Sequence, residues 1–308
     1  MSQMTSCQPN ERSISLPVVI DSHAVAYEWA DHLWILINRF SERKTLVYKI
    51  SIEHEMTLVS ELPMMSATVV GCEDQLVVTG SNMNGKPVFI GINSEGEQLW
   101  NHTLSEVNPI IWPVASCGDE ISIAWQEGTN TIETGLLNLS NNKFEPHESI
   151  DVNSSPAHLH SWKDKLHVIW MDTNRIHEME VSSNEATILD RNEGYADNFT
   201  LGFADGKKYY VWANQDHVYF KVFGEMELTS VEIENSKGGE LMAISGGEPL
   251  AWIQRSEPDI DANLSWNSIL VSPAHKLYEV NEYVYAVSFW NKSIVVVHAS
   301  RIDIIQNK

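Results

Sequence analysis

The sequence predicts an all-β chain, a seven-bladed β-propeller of four-stranded antiparallel blades. Three observations carry that expectation: an internal period, the strand-like content of each period, and the near absence of helix signals. "AYEWADHLWILINR" (26–39) and "LHSWKDKLHVIWMD" (159–172) both read as an apolar strand, a Trp, a short polar turn with Asp, and a second apolar strand. "VVGCEDQLVVTGSN", "VASCGDEISIAWQE", "GFADGKKYYVWANQ", "AISGGEPLAWIQRS" and "VSFWNKSIVVVHAS" follow the same course. The first apolar residue of the second strand falls at Leu33, Leu76, Ile121, Leu166, Tyr209, Leu250 and Ile294, in steps of 43, 45, 45, 43, 41 and 44 residues. A period of this length filled with several short strands marks propeller blades. β-Branched and aromatic residues dominate, and Gly, Asn or Asp interrupt the apolar stretches before a helix-length pattern develops.

Third and fourth strands follow in each unit: "TLVYKISI" and "EMTLVSEL" in the first, "PVFIGINS" and "EQLWNHTL" in the second, "HVYFKVFG" and "MELTSVEI" in the fifth. The last unit ends one strand short after "RIDIIQNK", while "SISLPVVI" (13–20) precedes the first complete unit. This N-terminal strand is expected to complete the seventh blade, since ring closure removes long unpaired edges. The domain organisation that follows is a flexible segment over 1–12 and one propeller over 13–308.

The whole chain thus resembles the seven-bladed propeller superfold. Its blades lack a recurring G-H and W-D pair, a double glycine and an S-x-D-x-G-x-T-W box, so they do not have the pattern of WD-repeat, kelch or sialidase-type arrays. "INSEGEQLW" (92–100) is similar to the repeats of quinoprotein-like propellers. That similarity brings no cofactor residues with it.

Composition narrows the partners. Forty-two acidic residues against twenty Lys and Arg give a formal charge of −22. Such a surface repels phosphate backbones and anionic lipid, so neither nucleic acid nor membrane is expected as a partner. The N-terminus "MSQMTSCQPNERS" has no basic region followed by an apolar core, and no apolar run is long enough to cross a bilayer; a cytoplasmic location is expected. Cys7, Cys72 and Cys117 have no metal-ligand spacing. Cys72 and Cys117 share a column with Trp29, Trp162 and Trp290, which puts them in consecutive blades. With sheets about 10 Å apart and a disulfide limit of about 7 Å between Cα atoms, they are expected to be unpaired apolar fillers.

Histidines crowd the fourth blade. With Lys163 and Asp164 as the turn, Trp162 pairs with Lys165, His160 lies opposite His167, and His158 shares their face. Such a trio suits Zn²⁺ with an open fourth position. The same column elsewhere holds Val25, Tyr27, Trp29, Tyr210 and Trp212, a face packed against the next sheet, so hydrogen-bonded core histidines are the favoured reading.

For function, the expectation centres on the face that gathers the blade-to-blade connections and the loops joining second to third strands. Six residues after each repeat marker stand Arg39, Asn82, Glu127, Asp172, Gln215, Ser256 and Ser300, with Gln126, Asn214, Arg255 and His298 just before. Blade starts contribute Asp21, His23, Trp112, Tyr195 and Asp197. Each blade offers a different group, which suits one asymmetric pocket better than repeated contacts. The candidate roles are proton transfer by His23, Glu127, Asp172 and His298, and ligand binding by Arg39, Trp112, Gln215 and Arg255. "RSEPDIDANLSWN" (255–267) reads as a long loop overhanging the channel, and Asp259, Asp261 and Asn263 form a partial calcium pattern without its glycine or distal glutamate. G-x-S-x-G, H-E-x-x-H, P-loop and G-x-G-x-x-G motifs are absent. The leading expectation is a small-molecule binder, with acid-base lyase, hydrolase or cyclase chemistry. A protein-interaction scaffold on the same face is the alternative, and the uneven columns argue against a lectin.

Overall fold

The computed structural model describes residues 11–306 apart from 108, 110, 119, 128–129, 139–142, 148, 153–157, 163–164, 173–174, 182, 184–185, 192–197, 214–215, 234–239, 245–248 and 259–263. Seven separate antiparallel sheets form the seven blades, and within each the strands pair in chain order. Blades 1 to 6 span 24–62, 65–103, 111–151, 158–191, 198–232 and 240–280. In blade 3 a short strand, Ile150–Asp151, also pairs with the third strand. Blade 7 takes three strands from 284–306 and its outermost strand from the N-terminus, so the first and last segments of the chain lie side by side.

The closing strand is Glu11–Ser15, shifted from the predicted 13–20. It pairs with Arg301–Gln306 in a register that sets Ser13 against Asp303. Pro17 ends the ladder because it lacks an N–H. Beyond it the chain keeps two backbone bonds, Leu16 N to Ser300 O at 2.9 Å and Ile20 N to Ala299 O at 2.7 Å. Leu16 and Val18 pack into the interface between blades 7 and 1.

Buried apolar side chains divide into seven clusters, each filling one interface between neighbouring blades. This explains the local sequence. A middle strand is covered on both faces, so it reads as a continuous apolar run rather than an alternation. In His32–Arg39 the stretch from Leu33 through Ile37 is wholly buried, whereas in the outermost strand Met56–Leu62 only Leu62 is buried.

Antiparallel strands put their connections on two opposite faces. On the hairpin face lie the turns between first and second strands and between third and fourth. The connection face carries the second-to-third loops and the blade-to-blade links.

At the hairpin face the Trp column works as a set of unlike staples. Trp29 of blade 1 donates its Nε1–H to the Cys72 carbonyl of blade 2 at 2.7 Å. Gly71 permits this, because a Cβ there would meet the Trp29 ring at 2.6 Å. Trp162 of blade 4 stacks on Phe203 of blade 5 at 4.4 Å, and the buried Tyr209 hydroxyl of blade 5 donates to Ile244 O of blade 6 at 2.6 Å. Between blades 2 and 3 the staple is covalent. Cys72 and Cys117 form a disulfide across a Cα separation of 5.3 Å. The expectation of unpaired thiols applied mid-sheet spacing to residues that end innermost strands, and blades are wedges whose innermost strands converge on the axis.

The fourth-blade register is as predicted, with Trp162 opposite Lys165 and His160 opposite His167. Among the described residues no three His, Cys, Asp or Glu side chains are grouped to hold a metal ion. His167 Nδ1 instead meets Glu178 Oε1 at 2.7 Å, and the same oxygen accepts from Lys208 Nζ of blade 5 at 2.6 Å. His158 sits edge-on to Phe199 at 5.1 Å. The hydrogen bonding of the cluster is incomplete: His160 Nε2 and His167 Nε2 are buried without a hydrogen-bond partner. The candidate calcium residues Asp259, Asp261 and Asn263 lie outside the described residues.

Candidate functional site

The polar column at the strand ends divides into two layers. Its inner layer is structural. Asn38, at the end of the second strand of blade 1, donates Nδ2 to Ser66 O of blade 2 at 2.8 Å and accepts at Oδ1 from Ser66 N at 2.9 Å and from Thr45 Oγ1 at 2.7 Å. Thr45 Oγ1 also reaches Met64 O at 2.8 Å. Blade 6 repeats this arrangement. Gln254 Oε1 accepts from Val284 N of blade 7 at 2.8 Å and from Ser268 Oγ at 2.9 Å, and Ser268 is also 2.8 Å from Glu282 O. Between blades 2 and 3, Thr79 Oγ1 donates to Pro113 O at 2.6 Å. These side chains satisfy backbone groups of the next blade that would otherwise be buried unpaired.

His298 belongs to that layer. It is wholly buried, its Nε2 lies 3.0 Å from Asp303 Oδ2, and its Nδ1 lies 3.2 Å from Glu282 Oε2. Arg301 joins both carboxylates, Glu282 at 3.0 Å and Asp303 at 3.1 Å, and Ser13 of the closing strand donates to Asp303. Burial and then Arg301 lower the pKa of His298, outweighing the two carboxylates. A neutral imidazole donates one proton, and the shorter contact directs it to Asp303. His298, expected to transfer protons, thus lies inside a seam between blades 6 and 7.

The outer layer is where ligands would meet the chain. His23 is exposed and its carbonyl accepts from Asn38 N at 2.9 Å. Arg39 pairs with Glu42 of its own turn at 3.2 Å. Glu127 and Asp172 end their strands opposite Thr131 and Arg175, Trp112 stands in Ile111–Cys117, and Arg255 lies opposite Asn267; the side chains of these four are outside the described residues, as is Gln215. Of the predicted site residues whose side chains are described, His23 is exposed, Arg39 is paired within its own turn and His298 is buried in a seam.

Residues 255–267 are not a simple loop. Leu250–Pro258 and Leu264–Val271 continue their ladder through Arg255 with Asn267, Ser256 with Trp266, and Pro258 with Leu264. Blade 6 thus extends a hairpin beyond the connection face. Backbone pairing needs no apolar alternation, which is why the polar segment read as a loop. Trp266 on this hairpin meets Tyr283 edge-on at 4.7 Å, and Tyr283 meets Tyr285 at 4.7 Å. All three rings are half-buried. Burial, then Tyr283 and Asp21, raise the pKa of Tyr285, which keeps its phenol neutral. On the same face Phe40 and Met83 stand out at 71% and 65% exposure. Tight turns hold them there: Arg43 N reaches Phe40 O at 3.3 Å, and Asn82 Oδ1 accepts from the backbone of Asn84 and Lys86.

Cavities of about 390, 350 and 350 Å³ open on the hairpin face, at the blade 7–1 seam, beside the disulfide, and at the channel end between Tyr27 and Trp162.

No protein-family model matches the sequence, and no curated protein does. Solved structures agree on the fold. A chain in the crystal structure of the mitotic checkpoint complex superposes with a TM-score of 0.60 at 12% identity, over 97% of this chain and 91% of that one. The WD40 repeats of RRP9 give 0.60 at 7% identity, over 96% and 97%. The β-propeller domain of the Trilobed protease from Pyrococcus furiosus gives 0.51 at 10% identity, over 82% and 80%, and its topology is described as open velcro. This chain is similar to them as a propeller, with its own ring closed by Glu11–Ser15.

Proposed function

We propose that this protein is an interaction scaffold whose connection face docks a segment of a protein partner on the Trp266–Tyr283–Tyr285 ladder. The observation that carries the reading is the ladder itself: three adjoining, half-buried aromatic rings on a hairpin and a blade start. Trp and Tyr dominate interface hot spots because they contribute a large contact area with few rotatable bonds. Phe40 and Met83, fixed by turns, enlarge the face at little ordering cost. Asp21 beside Tyr285 and the overall charge of −22 favour a basic segment. Similar propellers solved within protein complexes support the same class of function. Of the eight residues expected to form a small-molecule site, His298 is buried and Arg39 is paired in its own turn.

A photo-crosslinking residue at Trp266, compared with one at the exposed Leu99 on an outermost strand, tests this. The expected result is one discrete adduct from 266 and none from 99. Trp266→Ala should then weaken that partner by about 30-fold, the cost of a typical hot spot, with an unchanged melting temperature. Equal labelling from both sites, or wild-type affinity in the Ala variant, would refute the docking face.

A further inference from the structure

The cavity at the blade 7–1 seam has an unusual lining for so acidic a chain. Its volume is about 390 Å³, and Arg12, His54, Trp290, Asn291, Ser293 and Gln306 border it, with Ile52 and Ile304 as apolar walls. Each of the six residues with polar groups has a hydrogen-bond donor to offer, and Arg12 is a permanent cation. No carboxylate is among the described lining residues, although acids outnumber bases 42 to 20 in the sequence.

Two groups at this seam have unmet hydrogen bonds. Trp290 is only 3% exposed, and its Nε1 has no hydrogen-bond partner. His54, in a left-handed backbone conformation at φ 67°, holds its ring edge-on to Trp290 at 5.6 Å, and its Nδ1 is likewise unpartnered. An indole N–H is donor-only, so it lacks an acceptor. A buried donor left unpaired costs about 1–3 kcal/mol.

We infer that this seam is a binding site for a small aliphatic carboxylate. The carboxylate is held by the Arg12 guanidinium as a charge-assisted pair, and the short carbon chain lies against Ile52 and Ile304. The volume falls at the small end of ligand pockets. Arg12 belongs to the closing strand, Trp290 and Ser293 to the first hairpin of blade 7, and His54 to a turn of blade 1. A bound anion would therefore tie together the three segments that close the ring. This site faces away from the proposed docking ladder and stands or falls separately from it.

The test is thermal unfolding and amide hydrogen exchange of the full chain with butyrate, succinate or glutarate, each against sodium chloride of matched ionic strength, and with inorganic phosphate as a separate arm. At least one carboxylate should raise the melting temperature by about 2 °C or more. It should also slow exchange in residues 11–15. Arg12→Gln should abolish both responses while leaving the unliganded melting temperature unchanged, because Arg12 is exposed. The inference is overturned if no carboxylate exceeds the salt control, if Arg12→Gln responds like the wild type, or if phosphate alone protects.

Discussion

The blade 1–2 and blade 4–5 junctions meet the same demand, holding two wedges in register, with opposite chemistry. At 1–2 the fully buried polar network is neutral: Asn38, Thr45 and the Ser66 backbone join in it, the Trp29 indole donates to Cys72 O, and the half-buried Lys49 Nζ donates to the uncharged Ser94 O at 2.8 Å. At 4–5 the link is ionic, with Glu178 buried between His167 and Lys208. A neutral network recovers modest free energy for each bond and is indifferent to pH. A buried ion pair gains little over an apolar substitute, yet losing one member strands the others without compensation. Equivalent junctions can therefore have very different sensitivity to mutation and pH.

Deleting the acceptor should expose that difference most strongly. Glu178→Ala leaves Lys208 and His167 facing an apolar void and is expected to cost about 3–5 kcal/mol at neutral pH. Asn38→Ala leaves the Ser66 N–H and C=O unpaired and should cost about 1–3 kcal/mol. Guanidinium unfolding midpoints of the two variants, measured side by side, check the ranking; equal losses would remove the distinction drawn between the junctions.

The blade 2–3 junction is a third case, because its staple is covalent. The disulfide closes a loop with a sequence separation of 45, and its loss through Cys72→Ala with Cys117→Ala is expected to cost about 2–4 kcal/mol. Reduction with a dithiol should lower the wild-type midpoint by a similar amount and leave the double variant unmoved. An intact mass identical with and without reductant would show that the staple is not formed.

The fold was legible because it rests on repetition. Marker residues from Leu33 to Ile294 fall on middle strands covered on both faces, and such strands must be apolar throughout. The closing strand was legible in kind but shifted, since Pro17 stops the ladder that its apolar neighbours suggested. Convergence toward the axis was not legible: column positions say which residues are equivalent, not how far apart they lie, so Cys72 and Cys117 were read as unpaired. Strand-end polarity was ambiguous for a physical reason. A polar side chain there serves a ligand and a neighbouring backbone equally well in sequence; Asn38 and Gln254 serve the second, and His298 meets the carboxylates of Asp303 and Glu282. Of the aromatic ladder, Trp266 stands in the segment 255–267 that reads as a long loop, whereas Tyr283 and Tyr285 carry no sequence signal that sets them apart from other residues at a blade start.

The subtlest consequence of the 4–5 junction is in its pH response. Burial, aided by His158 and His167, pushes the pKa of His160 down to about 3. In the unfolded chain the same imidazole takes up a proton near pH 6.5. The unfolded state then binds more protons than the folded one, so this contribution to stability is complete above about pH 6.5 and declines as pH falls toward the folded value. The slope approaches 1.4 kcal/mol per pH unit for each such imidazole. Glu178 adds a loss at lower pH. Burial would raise its pKa, but the hydrogen bonds from His167 and Lys208 outweigh it and hold the pKa below the ordinary value. Its stabilisation is present above about pH 4.3 and lost as pH falls through the folded value. Between pH 6.5 and 5.5 the imidazole dominates, and His160→Phe should reduce the wild-type loss of stability by about 1 kcal/mol. The comparison of slopes isolates titration from packing, because any cavity or overpacking in the variant shifts both pH values alike. Parallel stability profiles for the two proteins would mean that His160 is protonated in the folded chain and that the junction does not exclude the charge.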